Sequence, residues 1–195
     1  MKRVLSVVIC SLMLLLSFEQ QSKTQTKQER SSLEQDKNKP KIVAVNTNEL
    51  EAFSHDAGKV KFIASSEDTN GAFAVLEVTE MPGYKTTWHR HNRTEETFYV
   101  LEGILTVKIV DKTYEFPAGS YVLIPRGTPH GQGNFTKTRV KFLLTVLPGG
   151  FERRFRDRVE LFKTAKPGDP DFKKKLEERR QNVDSEVLGV WGVQK

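Results

Sequence analysis

An all-β domain of sandwich or jelly-roll type, followed by helices, is predicted by three observations. Short runs rich in β-branched and aromatic residues recur about every ten residues between Lys41 and Leu147, with turn residues between them. Past Leu147 the apolar spacing changes to that of a helix. Within the β region, three of the four histidines fall in two stretches, GYKTTWHRHNRTEETFYVLEG (Gly83 to Gly103) and GSYVLIPRGTPHGQGN (Gly119 to Asn134). Their spacings suit a divalent-metal site inside a barrel.

The 195 residues leave room for one folded domain of about 120 to 150 residues. Lys2 and Arg3 precede an uncharged run from Val4 to Leu16, the layout of a secretory signal peptide over residues 1–17. The run is short of the about 20 apolar residues that span a bilayer. The residues around Leu15 and Ser17 make a mediocre cleavage site, so an uncleaved anchor stays open as the one membrane contact. Cys10, the sole cysteine, lies in the apolar run behind the bulky Ile9 and is read as part of the signal rather than a lipidation site. Cleavage near Ser17 would leave neither a disulfide nor a thiolate metal ligand. The expected location is outside the cytoplasm, periplasmic or secreted. Loss of Lys2 and Arg3 takes the formal charge from +6 to +4, with both signs interleaved, which argues against nucleic acid as partner.

Residues 18–40 hold one large aliphatic residue, Leu33, among Gln, Lys, Ser, Thr and Glu, too little apolar surface to offset ordering entropy. A disordered linker is expected there. Strands follow at Ile42 to Val45, Val60 to Ala64, Ala72 to Glu80, Thr86 to His91, Thr97 to Leu101, Leu105 to Val110, Lys112 to Phe116, Tyr121 to Ile124 and Thr138 to Val146. Turns are predicted at Asn70-Gly71, Pro82-Gly83, Glu102-Gly103, Pro117-Ala118-Gly119 and Arg126-Gly127. After Pro148-Gly149-Gly150, the residues Phe151, Phe155, Val159 and Phe162 form one helical stripe that should lie on the barrel, closing a domain over 41–165. Residues 166–195 are expected to be a helical extension, with a helix from Asp169-Pro170 to about Asn182 carrying Phe172, Leu176 and Val183 on one side. Its Lys and Glu-Arg runs read as a solvated face.

His89 and His91 are two apart, so both imidazoles can project to one face of a strand. Glu96 follows a short polar loop and His130 comes about forty residues later, which assembles the group from two strand pairs. Three neutral nitrogens and one carboxylate suit one divalent transition metal: Fe, Mn, Ni, Co, Cu or Zn. Glu95 competes with Glu96, because the residues before them break the strand; the spacing to Gly103 favours Glu96. His55, outside both stretches, reads as a loop histidine.

The two stretches resemble the paired signature motifs of the cupin superfamily. Gly83, His89, His91, Glu96 and Gly103 match the first pattern; Gly119, Pro125, Gly127, His130 and Asn134 match the second. Fifteen residues separate the motifs, as in compact bacterial members. The resemblance implies a double-stranded β-helix, with six core strands and with His89, His91, Glu96 and His130 as metal ligands.

Phe98 and Val100 share the alternation face of Glu96 and would line a substrate pocket, Phe98 being equally readable as core packing. An aromatic or otherwise flat substrate follows from such walls. Gln132 and Arg126, flanking His130, are within reach of a substrate, though Arg126 is equally a solvated turn residue. Arg153, Arg154, Arg156 and Arg158 alternate with Glu152, Asp157 and Glu160; a solvated helix face is favoured over a role in drawing in an anion. The segments PGGFERRFRD and SEVLG are similar to the C-terminal part of small bacterial cupins described as quercetin 2,3-dioxygenase-like. That likeness implies a metal-dependent dioxygenase of a phenolic or enolisable small molecule, with Glu96 as ligand and catalytic base. A metal-assisted sugar or uronate isomerase or lyase, and a non-catalytic small-molecule-binding protein, stay open. By analogy with such barrels a homodimer is expected.

Overall fold

The computed structural model describes residues 39–55, 58–166, 168–180 and 184–192. The expected signal peptide and almost all of the expected linker lie outside them. Eleven strands run in order through the described residues: β1 (Phe53–His55), β2 (Gly58–Ala64), β3 (Ala74–Glu80), β4 (Trp88–Arg90), β5 (Glu95–Glu102), β6 (Ile104–Ile109), β7 (Lys112–Pro117), β8 (Tyr121–Ile124), β9 (His130–Gly133), β10 (Val140–Leu147) and β11 (Glu186–Gly189). Two helices, α1 (Arg153–Thr164) and α2 (Phe172–Arg180), lie between β10 and β11. One sheet has the order β1-β2-β3-β10-β5-β8 and the other β11-β4-β9-β6-β7. Every pairing is antiparallel.

The alternation that marks the strands also sets what they bury. Along β10, Val140, Phe142, Leu144 and Val146 are buried while the residues between them are half-exposed. Side chains two apart on a strand share a face, so this strand offers an unbroken apolar row to the interior. Its neighbour β5 answers with Phe98 opposite Leu144 and Val100 opposite Phe142, and its outward Tyr99 and Leu101 stay exposed. Leu105 and Val107 of β6, Val122 and Ile124 of β8, and Leu76 and Val78 of β3 complete one apolar cluster. Phe98 and Phe142 meet edge to face at 5.6 Å, a geometry that adds about 0.5–1.5 kcal/mol to the burial of either ring.

The β5–β6 turn shows why its glycine is there: Gly103 has φ +76, and a Cβ on it would lie 2.5 Å from the carbonyl oxygen of Arg139. Only glycine fits without moving that backbone. The next hairpin is less relaxed. Val110, expected as the end of a strand, instead opens a two-residue turn with φ +53, which a β-branched side chain disfavours.

Ile42 to Val45 form no strand; Ile42 is 96% exposed, and Lys41 N–H donates to the Asp68 carbonyl at 2.7 Å. β-branched composition alone does not make a strand where no edge accepts it, and β1 takes the β2 edge instead. β1, β9 and β11 were not expected. His55 is accordingly no loop residue: it ends β1, buried, with its ring edge-on to Phe155 at 5.5 Å.

Helix α1 docks by three residues of the predicted stripe, with Phe151 and Val159 buried in the main cluster and Phe155 packed against it; Leu161 is fully covered, whereas Phe162, expected on the stripe, is half-buried and meets Phe172 edge to face at 5.4 Å. The buried Glu152 fixes its start, accepting from Ser66 N–H at 2.9 Å and Gly150 N–H at 2.6 Å. α2 begins at Phe172, later than Asp169-Pro170 suggested, because Asp169 is engaged in a turn that accepts from Lys166 N–H and Phe172 N–H. Val183 lies outside the described residues. The C-terminal segment, expected to be helical, also supplies β11, which pairs with β4. No helix among the described residues is long and apolar enough to cross a membrane.

Candidate metal centre

His89 lies at the middle of β4, with His91 just beyond its end; His130 opens β9 directly across from His89. Glu96 comes from β5, in the other sheet. The four are therefore held between the sheets, and all are buried. Their ligand atoms lie within 4.8 Å of one another. Bonds of about 2.0–2.2 Å put opposite donors on an ion about 4.0–4.4 Å apart, so a contraction of roughly 0.4–0.8 Å would bring the set onto one ion.

Each imidazole is oriented by its outer nitrogen. His89 Nδ1 faces the Thr87 carbonyl at 2.7 Å, His130 Nδ1 faces that of Thr128 at 2.9 Å, and His91 Nδ1 faces that of Asp184. A carbonyl can only accept, so Nδ1 carries a hydrogen and Nε2 is the atom that each ring turns inward, free to ligate once it gives up any proton it shares with Glu96. Glu96 bridges two of these atoms, with Oε1 3.3 Å from His91 Nε2 and Oε2 3.2 Å from His130 Nε2.

The electrostatics favour the neutral ring at His89 and the charged carboxylate at Glu96. Burial, reinforced by His130, pushes His89 down to about 3, so it is neutral and a competent ligand. Burial raises Glu96, but the facing His91 and His130 outweigh it and hold the carboxyl well below its usual range. Burial likewise lowers His91, yet the Glu96 charge and hydrogen bond leave it raised on balance. An anionic oxygen among imidazole nitrogens is a donor set for a divalent transition ion, and the residues fit one.

Glu95 takes no part. It accepts from the exposed Arg126 at 2.9 Å on the outside, which removes Arg126 from the pocket as well. Beside His89 and Glu96 lies a cavity of about 20 Å³, room for about one water molecule. Phe98 and Gln132 line it as expected; Val100 does not, being one alternation further along β5 and packed into the core opposite Phe142. A larger cavity of about 520 Å³ lies on the outer face of β2, β3 and β10 among Lys59, Lys61, Glu77 and Lys141. It touches none of the four, so size does not mark the site here.

Residues 76–146 match the cupin domain family Cupin_2. Over these residues the chain has a cupin domain. Quercetin 2,3-dioxygenase of Bacillus subtilis is 28% identical over 96 residues, 49% of this cupin and 28% of that enzyme. An uncharacterized protein of Methanocaldococcus jannaschii is 33% identical over 66 residues, 34% of this cupin and 53% of that protein. The cupin thus spans about half, or less, of the curated relatives it matches. Among solved structures, KdgF from Halomonas sp. superposes with TM-score 0.50 at 17% identity, over 55% of this chain and 94% of that one. A predicted oxalate decarboxylase from Thermotoga maritima gives 0.50 at 20%, over 54% and 98%. These likenesses show the double-stranded β-helix fold.

Three features of the cupin site were missed from sequence. Glu80 is buried against Gln132, whose Nε2 donates to Oε1 at 3.3 Å; burial pushes the acid up to about 8 despite that hydrogen bond. Its signal was present, since Leu76, Val78 and Glu80 alternate onto one inward face. Asp184 holds the loop after His91: its carboxylate accepts from Asn92 N–H at 3.1 Å, Arg93 N–H at 2.8 Å and Thr94 Oγ1 at 2.8 Å. No local pattern announces that. Arg154 and Arg158, read as part of a solvated helix face, line the cavity.

Proposed function

We propose that this cupin is a metal-dependent dioxygenase of a small enolisable substrate, with His89, His91, Glu96 and His130 holding the ion. The character of the walls carries the reading: Phe98, Phe142, Leu144, Phe151 and Phe155 bring apolar surface to the cavity beside His89 and Glu96. A sugar or uronate needs a partner for nearly every hydroxyl, because each one buried without a hydrogen bond costs about 1–3 kcal/mol. The partial likeness to quercetin 2,3-dioxygenase supports the same direction.

When bound, a divalent ion would supply Lewis acidity toward the enolate oxygens and a route for electrons to dioxygen. Glu96 takes the enol or hydroxyl proton; held anionic between His91 and His130, it is in the state a base requires. Phe98 and Phe151 exclude water from the reacting carbon. The cavity as it stands holds about one water molecule, so any substrate enters only if the walls move, and a substrate of a few carbons asks for less movement than the flat aromatic first expected.

Oxygen uptake tests this. Protein loaded separately with iron, manganese, nickel, cobalt and copper should consume dioxygen with a small enolisable diketone. Turnover under strict anaerobiosis would instead indicate an isomerase or lyase, and binding without turnover a carrier. We propose further that the protein acts outside the cytoplasm, on the strength of the charged-then-apolar stretch at Lys2 to Leu16; mass spectrometry of the exported chain, beginning near residue 18, checks it.

A further inference from the structure

Glu80, idle in the chemistry described so far, ends β3 on the same small cavity that His89 and Glu96 line. Its neighbours fix how it is bonded. Thr86 Oγ1 accepts from Gln132 N–H at 3.1 Å and donates to Gln132 Oε1 at 3.2 Å. That turns the amide so that its Nε2 donates to Glu80 Oε1 at 3.3 Å. Oε1 therefore accepts, and Gln132 offers no acceptor to an acid proton. Glu80 Oε2 is buried and has no hydrogen-bond partner among the described residues. A buried polar atom of this kind calls for a partner such as an ordered water, and the cavity of about 20 Å³ has room for one.

We propose that Glu80 is the proton donor that complements Glu96 as base, its Oε2–H bonded to a single water that fills the cavity and links the two carboxyl groups. This rests on the dioxygenase reading above. In a turnover Glu96 takes the enol proton of the substrate, and Glu80 passes its Oε2 proton through the water to an anionic oxygen formed on the substrate. That leaves Glu96 protonated and Glu80 ionised. A proton moving from Glu96 to Glu80 through the same water restores both, so the protein neither gains nor loses a proton over the cycle. The surroundings suit the two roles. Burial pushes Glu80 up to about 8, whereas at Glu96 burial is outweighed by His91 and His130, which hold that carboxyl well below its usual range. Two carboxyl groups driven apart in this way are an acid and a base at the same pH. His89 from β4 and Arg154 and Arg158 from α1 also reach the lining, yet what opposes the burial of Glu80 is the Gln132 hydrogen bond.

Glu80→Gln is the variant to set beside the wild type, because it keeps the size of the side chain and its hydrogen bond to Gln132, and can hold a water without a transferable proton. Infrared difference spectra of cobalt-loaded full-length protein near neutrality should show the carbonyl stretch of a protonated carboxyl, absent in Glu80→Gln and fading as pH rises through about 8. Wild-type crystals should show one water within about 2.5–3.0 Å of Glu80 Oε2. Oxygen uptake with acetylacetone, in the most active metal form, should fall about 10²–10⁴-fold in kcat in Glu80→Gln, with KM and cobalt affinity unchanged. The wild-type kcat should decline above about pH 8, and the variant should lack that decline. The infrared band, the water and the pH profile are all read on the wild type, so the proposal does not hang on the variant alone. No protonated-carboxyl band in the wild type, the same band in Glu80→Gln, or a cavity without water would overturn it. Uptake with the same kcat and pH profile in both proteins would also overturn it, and would leave the dioxygenase standing. No uptake by either protein, with the band and the water in place, would remove the dioxygenase and leave the acid and its water bridge to Glu96.

Discussion

Replacing Glu80 with glutamine should stabilise this protein, and by an amount that grows with pH. The side chain is 1% exposed, Oε2 has no hydrogen-bond partner among the described residues, and burial puts its titration at about 8 against an ordinary 4.5. Below about pH 4.5 the carboxyl is protonated in both folded and unfolded chains and costs nothing. Between there and pH 8 only the unfolded chain ionises, so the wild type loses stability as pH rises and levels off above 8. Glutamine does not titrate and can still accept from Gln132. At 1.36 kcal/mol per unit, the 2.5 units from 4.5 to neutrality give a relative gain of about 3 kcal/mol at pH 7. For a domain of this size that is roughly 7–14 °C in Tm. Urea unfolding of both proteins, stripped of metal, from pH 4 to pH 9 isolates the effect, because the other titrating groups cancel in the difference. A difference that stays constant across that range would refute the reasoning.

Four other substitutions probe separate parts of the structure. Asp184→Ala removes the acceptor for Asn92, Arg93 and Thr94 beside His91; competition with a chelator should show metal affinity weakened about 10- to 100-fold, with a smaller loss of stability. Gly131→Ala places a Cβ 2.3 Å from Trp191 Nε1, which donates to the Thr86 carbonyl; a stability loss of about 1–3 kcal/mol and faster proteolysis near the C-terminus are expected. Val110→Asn relieves the positive φ of the β6–β7 turn and should raise the urea midpoint by an amount equivalent to about 1 kcal/mol. Arg126→Ala breaks only an exposed pair with Glu95, so both metal affinity and stability should move by less than about 1 kcal/mol.

What could be read from the sequence was what local pattern encodes. Alternation and turn residues located β8 at Tyr121–Ile124 without error, and β2, β3, β5, β6, β7 and β10 to within a few residues. β9 reads HGQG and has no alternating apolar row; it is a strand because β4 and β6 lie on either side of it. Ile42 to Val45 failed in the opposite sense, with strand-like composition and no partner. The four candidate ligands were legible because their spacing is a property of two short stretches, whereas Glu96 against Glu95 needed the fold to show which carboxylate turns inward. Arg154 and Arg158 flank the apolar stripe of α1, and only the way that stripe docks decides that they meet the cavity rather than solvent. The Asp184 carbonyl reaches His91 across 93 residues of chain, beyond any local signal.

Anomalous X-ray scattering from crystals of protein purified with its own metal tests the central claim most directly. The expected result is a single strong peak about 2.0–2.2 Å from the Nε2 atoms of His89, His91 and His130 and from a Glu96 oxygen, absent in His130→Ala. A peak at other residues, or one that persists undiminished in His130→Ala, would contradict it.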